Sequence, residues 1–178
     1  MNNYSVNIWS VSSINNCQFT VWNFVQNIRA MSSNLSDTIP FNILLVEDNP
    51  GDARLAREAL NENNINHFLY HVEDGLQALD FLRNKGMYRS SPRPDLILLD
   101  LNLPKINGHQ VLSEIKSDEN LRKIPVVVLS ISCSEKDIEE SYKLNANCYV
   151  TKPLDLNEFI EVFGRIQNFW LKTVKLPS

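Results

Sequence analysis

Short runs of apolar residues alternate along most of the chain with segments in which apolar residues recur every three or four positions. The continuous runs are typical of strands buried on both faces, and they lie at residues 43–46, 68–72, 96–99, 126–129 and 148–150. The segments between them have the spacing of amphipathic helices. This alternation predicts one doubly wound α/β domain, with helices covering both faces of a parallel five-stranded sheet.

Local signals mark where several of these helices begin. Asn49 precedes Pro50, a residue that suits the first helical position, and Asp74 precedes the helix after the second strand. Ser134 and Asp137 have the spacing of a capping box. We therefore expect a helix to follow each strand.

The first 40 residues do not share this pattern. Residues 1–40 are rich in Asn and Ser, and their only charged side chains are Arg29 and Asp37. Apolar residues reach helical spacing only at 21–31, which leaves open a short partner-binding helix or translation that starts at Met31. We expect a disordered or weakly helical extension, because so few core-forming residues give it little to order it.

The remaining chain divides into a folded domain at 41–167 and a short tail at 168–178. The tail contains Phe169, Trp170 and Leu171. It either continues the last helix and packs against its own domain, or it forms an interface with exposed aromatic anchors.

Composition excludes several classes of protein. The formal net charge is −4 and the pI is about 5.4, which argues against a nucleic-acid-binding surface. The three cysteines lack CxxC spacing, as expected of reduced thiols in a cytoplasmic protein. No apolar run approaches the roughly 18 residues that span a bilayer, so we expect no membrane partner.

Side chains that can carry chemistry follow four of the predicted strands. Glu47 and Asp48 come after the first strand, Asp100 ends the third, and Ser130 and Lys152 end the fourth and fifth. Because ligands of open parallel sheets bind beyond the carboxyl ends of the strands, we expect these groups to converge. Three close carboxylates repel one another unless a hard dication neutralises them, and all-oxygen ligation favours Mg²⁺.

The same arrangement suits phosphoryl transfer. Mg²⁺ leaves room for a phosphoryl group, and a carboxylate can act as a nucleophile that forms an acyl phosphate. We expect Asp100 to be that nucleophile, because the buried strand before it holds it rigidly. Lys152 would supply a positive charge for the phosphoryl oxygens, and Ser130 a hydroxyl donor.

The stretches LLVEDNPGD, DGLQALDFL, DLILLDLNLPKINGHQVL, IPVVVLS and CYVTKPLDL resemble the receiver domains of two-component response regulators, over about residues 42–166. The resemblance implies a flavodoxin-like, CheY-like sheet of order 2-1-3-4-5. It implies that Asp100 is the phosphoacceptor and that Mg²⁺ is held by Glu47, Asp48, Asp100 and the backbone carbonyl of Asn102. It further implies phosphate-sensing roles for Ser130 and Lys152, a switch role for the aromatic Tyr149, and a cis peptide bond before Pro153.

Three further stretches, SPRPDLILLDLNLPK, VVVLSISCSEKDIEESYKL and FWLKTVKLP, look like the small response regulators that partner cyanobacterial phytochrome histidine kinases. This implies a single-domain phosphoacceptor in a light-regulated phosphorelay. It would not be a conventional enzyme, since it would catalyse only its own phosphotransfer and dephosphorylation. Its output would be a contact with a downstream protein target.

The sequence also predicts a homodimer. The apolar residues on the inner face of the last helix are expected to pack against the sheet. Ile160 and Leu171 are instead expected on a flanking face of this helix. A two-fold symmetric contact would cover such apolar groups on both chains. We expect this contact on the face of the fourth and fifth helices, tightened by phosphorylation.

Two other functions fit the residues less well. A hydrolase of the acid-x-acid type, with Asp100 as nucleophile, would need an acid at position 102, where Asn102 stands. A constitutive interaction or dimerisation module with little phosphotransfer would be expected to lack Asp100, Lys152 or the acidic pair, and all are present. No GxGxxG or GxxxxGK[ST] motif points to a nucleotide site.

Overall fold

Five parallel strands form one sheet in the order β2-β1-β3-β4-β5, which confirms the predicted topology. The structure is a computed structural model that describes residues 39–62 and 65–177. The extension expected at 1–40 lies outside the described residues, except for residues 39 and 40. The strands are β1 (Phe41–Val46), β2 (His67–Val72), β3 (Leu96–Asp100), β4 (Val126–Ser130) and β5 (Cys148–Thr151).

A helix follows each strand, as predicted. The helices are α1 (Pro50–Glu62), α2 (Gly75–Leu82), α3 (Gly108–Ser117), α4 (Glu135–Lys143) and α5 (Leu156–Gln167). The Asn49 side chain accepts hydrogen bonds from the Gly51 and Asp52 amides, which confirms the predicted cap of α1. None of the helices in the described ranges is long and apolar enough to cross a membrane.

The capping box predicted at Ser134 is wrong. Ser134 precedes α4, but its side chain makes no cap hydrogen bond. Asp137 instead accepts a hydrogen bond from the Ser132 hydroxyl, and the Ser132 oxygen accepts one from the Ser134 amide. The start of α4 is therefore tied to the loop that follows β4.

Two apolar cores cover the two faces of the sheet. Every residue of β3 and β4 is buried, so their side chains alternate between the cores. One core packs α2 and α3 against the sheet, and the other packs α1 and α5 against it. Burial on both faces explains the continuous apolar runs in the sequence.

The chain after α5 continues in a π-helical segment, Asn168–Thr173. Leu171 is buried in the core that α1 and α5 form, so the expectation that it lies on an exposed face is wrong. Trp170 also packs against this core, whereas Phe169 remains half exposed. The tail therefore packs against its own domain at Leu171 and still presents an aromatic side chain to solvent.

Candidate functional site

The carboxyl ends of β1 and β3 bring three acids together. Val46 pairs with Leu99 in the sheet, so Glu47 follows β1 beside Asp100 at the end of β3. Carboxylate oxygens of Glu47, Asp48 and Asp100 all lie within 4.8 Å of one another. Glu47 and Asp100 are buried, and Asp48 is exposed. The acidic cluster is thus open to solvent on one side.

Lys152 crosses from the end of β5 into this cluster. Its Nζ donates hydrogen bonds to Glu47 Oε2 at 2.6 Å, to Asp100 Oδ2 at 2.7 Å and to Asp52 Oδ2 at 3.0 Å. The sequence predicted Lys152 at this edge, but it did not single out Asp52, which lies in the first turn of α1. No local signal revealed its role, because Asp52 and Lys152 are 100 residues apart.

The electrostatics of the cluster follow from burial. Burial raises the pKa of Glu47 to about 7, an effect that outweighs the opposing influence of Lys152 and is reinforced by Asp100 and Asp52. For Lys152, burial lowers the pKa of the ammonium, but its hydrogen bonds to Asp100 and Glu47 overcome this and raise it. Lys152 therefore stays charged among acids that outnumber it.

The donor set of this cluster fits a divalent cation. All the available groups are carboxylate oxygens, which hard cations such as Mg²⁺ and Mn²⁺ prefer. One ammonium faces Glu47, Asp52 and Asp100, with Asp48 nearby, so negative charge remains uncompensated. A dication would offset most of it.

Ser130 lies beside the lysine through the pairing of β4 with β5. Ser130 pairs with Thr151, and the backbone amide of Lys152 donates to the Ser130 carbonyl at 2.8 Å. The Ser130 side chain is fully buried, and its hydroxyl oxygen accepts from the Ser132 amide at 3.2 Å. The structure thus brings the predicted Ser130 and Lys152 to the same edge of the sheet.

Tyr149 approaches the same loop from β5. Its hydroxyl donates to the Ser132 carbonyl at 2.9 Å. Ser132 therefore connects Tyr149, Ser130 and, through Asp137, the first turn of α4. The sequence singled out Tyr149 but not Ser132, whose contacts depend on the path of the loop.

Two remaining predictions concern the turns that flank the cluster. The Asn102 amide donates to Asp100 Oδ1 at 3.1 Å, so the residue lies directly beside the acid. The peptide bond before Pro153 is trans, so the expected cis bond is wrong. The preference between the two isomers of an X–Pro bond is only about 0.5–1 kcal/mol, so the surrounding chain decides it.

Comparisons with known proteins agree with this arrangement. The family model of the response regulator receiver domain matches residues 43–163 of this chain. The response regulator Rcp1 of Synechocystis sp. is 50% identical over 139 residues, which cover 78% of this chain and 95% of Rcp1. The chain is therefore similar to a curated response regulator over nearly all of that protein's length.

Solved structures extend the similarity to the fold. The phosphorylated cyanobacterial phytochrome response regulator RcpA is 51% identical with a TM-score of 0.77, covering 79% of this chain and 100% of RcpA. The Mn²⁺-bound form of Rcp1 is 50% identical with a TM-score of 0.75, covering 78% of this chain and 100% of Rcp1. The sequence motifs, the sheet order, the acidic edge and these matches agree, and the chain belongs to the family of response regulator receiver domains.

Proposed function

We propose that this chain accepts a phosphoryl group on Asp100 from a histidine kinase of the phytochrome type. The observation that carries the proposal is the position of Asp100. Its carboxylate stands at the end of a fully buried strand, 2.7 Å from Lys152 Nζ and beside Glu47 and Asp48. Similarity to the phytochrome response regulator RcpA supports a phytochrome-type kinase as the phosphoryl donor.

The chemistry proposed for this edge is a direct transfer. An oxygen of the Asp100 carboxylate attacks phosphorus, the bond from phosphorus to the kinase histidine breaks, and the imidazole leaves. Lys152 Nζ, which now contacts Asp100 Oδ2, moves to an oxygen of the incoming phosphoryl group. The Ser130 hydroxyl donates to another. The chain thus promotes its own phosphorylation without turning over a separate substrate.

The metal ligands proposed for the site are Glu47, Asp48, Asp100 and the backbone carbonyl of Asn102. A Mg²⁺ held by these residues would supply positive charge that offsets the negative charge of the carboxylates and of the phosphoryl group. The proximity of the three carboxylates supports this proposal.

A conformational response would follow from the contacts of Ser130 and Tyr149. When Ser130 donates to the phosphoryl group, the loop that holds the Tyr149 hydroxyl through Ser132 is drawn with it. We expect a shift between two packings of Tyr149. Ser130→Ala should still accept phosphate but show a weaker change in NMR shifts around Tyr149.

Labelling with acetyl phosphate tests the phosphoacceptor. Asp100→Asn should abolish labelling, because an amide is a poor nucleophile, and excess chelator should abolish it in the wild type. Glu73→Gln is a matched control, since Glu73 also follows a strand of the sheet but is exposed and lies outside the acidic cluster. Wild-type labelling of Asp100→Asn would overturn the assignment.

Apolar side chains beside the site support a docking face for the kinase. Ile131, Leu154 and Leu156 are 63%, 99% and 51% exposed, and all three line a crevice that also contains Asp52 and Lys152. Exposed apolar groups so close to Asp100 suit a protein that must bring its phosphohistidine to this edge. Leu154→Ser should slow transfer from the kinase several-fold and leave labelling by acetyl phosphate unchanged.

The predicted homodimer remains a proposal, with its surface revised by the structure. An apolar groove on β5, α5 and the segment after it is lined by Cys148, Val150, Val162, Phe169 and Trp170. A second copy related by a two-fold axis would cover this groove on both chains. Deleting the tail is no longer a clean test, because it would also remove the buried Leu171.

A point substitution separates the two roles of the tail. Phe169→Ser removes an exposed apolar side chain and should weaken the dimer while leaving the melting temperature nearly unchanged. Light scattering at tens of micromolar, with and without a phosphoryl mimic, measures this. A wild-type monomer under both conditions would overturn the dimer.

A further inference from the structure

The loop between β3 and α3, residues 101–107, carries Asn102 and is held to the domain along its length. Leu101 and Leu103 are buried in the core that α2 and α3 form with the sheet. The Gly108 amide, at the start of α3, donates to the Leu101 carbonyl at 2.9 Å. These contacts hold the two ends of the loop.

Lys105, near the middle of the loop, has an unfavourable backbone conformation. Its φ is +64°, in the left-handed region that glycine adopts freely and a residue with a Cβ atom adopts at a cost. A lysine at such a position needs a contact that compensates for the strain. The Lys105 Nζ does make one, a hydrogen-bonded ion pair with Asp74 Oδ2 at 2.5 Å.

Asp74 is itself fixed in place. Its side chain is only 4% exposed and caps α2 by accepting a hydrogen bond from the Gln77 amide at 2.8 Å. The next residue, Gly75, lies so close to the loop that an added Cβ would be 2.1 Å from the Ile106 carbonyl oxygen. The start of α2 therefore contacts the loop twice, through the ion pair and through direct backbone packing.

We propose that Lys105 and Asp74 form a clamp that positions the β3–α3 loop, and with it the backbone carbonyl of Asn102, for the divalent cation. Lys105 is then a positioning residue for phosphoryl transfer. This inference rests on the proposed function, because it is the proposed function that makes the Asn102 carbonyl a metal ligand. The clamp explains why a lysine stands where the backbone favours glycine.

Lys105→Gly separates positioning from folding. It removes the ion pair but also relieves the left-handed strain, and because these two effects oppose each other the melting temperature of the metal-free protein should stay close to that of the wild type. The affinity for Mg²⁺ should nevertheless fall about tenfold, the loss typical of removing a group that orients a metal ligand. A Mg²⁺ titration followed by the amide NMR shifts of Asn102 and Gly108 measures this affinity directly.

Three variants sharpen the test. Lys105→Arg keeps the ion pair and should retain the affinity of the wild type. Asp74→Asn keeps an acceptor for the Gln77 amide but loses the charge, so it should weaken Mg²⁺ binding as Lys105→Gly does, and the double variant should be no weaker. Asn145→Gly is the matched control, because Asn145 has the same φ of +64° at the end of α4.

The kinetics give a second readout. Lys105→Gly should be phosphorylated slowly by acetyl phosphate at low Mg²⁺ and at nearly the wild-type rate at saturating Mg²⁺. A variant that binds Mg²⁺ as tightly as the wild type, or that stays slow at saturation, would overturn the clamp. A wild type that neither binds Mg²⁺ nor accepts a phosphoryl group would overturn the proposed function instead.

Discussion

At the scale of single residues, Lys152 decides whether the acidic edge can stay buried. Lys152→Met would leave Glu47 and Asp100 without their cation, and removing one partner of a buried pair costs about 3–5 kcal/mol. We expect the free energy of unfolding at pH 7, without metal, to fall by about this amount in chemical denaturation. The loss should be smaller at pH 5, because Glu47, whose pKa burial raises to about 7, is then protonated.

Lys143 provides the control for this prediction. Its ammonium pairs with Glu139 one turn away on α4, and both side chains are exposed. Lys143→Met should therefore leave the denaturation midpoint unchanged. Equal losses in the two variants would show that the three contacts of Lys152 contribute nothing specific.

Asp74 makes the stability of the folded protein depend on pH in the acid range. Burial raises the pKa of Asp74, but hydrogen bonds from Lys105 and Gln77 outweigh it and hold the pKa below its usual 3.8. A carboxyl whose pKa is lower in the folded state contributes stability above about pH 4 and loses it as the pH falls through the folded value. Asp74→Asn should thus be less stable than the wild type by about 1–2 kcal/mol at pH 7.

The pH profile of the difference is the decisive measurement. Stability curves of the wild type and Asp74→Asn should converge as the pH falls from about 4 through the lower pKa of the folded Asp74, because the wild-type carboxyl then becomes neutral as well. Asp74→Ala, which also loses the cap of α2, should remain less stable than Asp74→Asn at every pH. Parallel curves for the wild type and Asp74→Asn would contradict a charged Asp74.

At the scale of elements, α3 lies against the end of β3 through a glycine. A Cβ at Gly108 would be 2.2 Å from the Asp100 carbonyl oxygen, so Gly108→Ala must displace the helix or the strand end. We expect a loss of about 1–3 kcal/mol in the free energy of unfolding, as for other overpacked sites. Shifted amide resonances at Asp100 should accompany it.

Gly51 is a position where an added Cβ would crowd the end of one side chain and no backbone atom. A Cβ at Gly51 would meet only the Asn49 side-chain oxygen, at 3.1 Å, and the residue lies in the first turn of α1. Because only this side-chain oxygen has to shift, Gly51→Ala should change the free energy of unfolding much less than Gly108→Ala does. A loss at Gly51 as large as that at Gly108 would show that the contact with Asp100 is not the cause.

At the scale of the whole molecule, the close carboxylates of the acidic edge repel one another, and a bound cation would reduce this repulsion. A ligand that binds only the folded state stabilises it by about 2.7 kcal/mol at a hundred times its dissociation constant. Mg²⁺ should therefore raise the melting temperature, and the chelated protein should be the least stable. Asp100→Asn should show a smaller rise, because one of the proposed ligands loses its charge.

Salt provides the control for this measurement. Sodium chloride at matched ionic strength screens exposed charges but does not occupy a coordination site. It should raise the melting temperature less than Mg²⁺ does. Equal effects of the two salts would contradict a specific cation site.

The sequence alone predicted the order of elements, the parallel sheet and the edge at which the acids meet. These features follow from patterns that short segments carry by themselves. The run at 96–99 is apolar at every position because β3 is buried on both faces, and Asn49 caps α1 through atoms two and three residues away. The family resemblance added the sheet order, which the structure confirms.

Tertiary structure alone decided which distant side chains share a contact. Asp52 reaches Lys152 across 100 residues, and Lys105 reaches Asp74 across 31. Leu171 enters the core although its position on a tail suggested an exposed face. Each of these contacts depends on how packed helices and loops place side chains within a few ångströms of one another. The periodicity of the sequence carries no information about such a distance, because it records only which face of its own element a residue occupies.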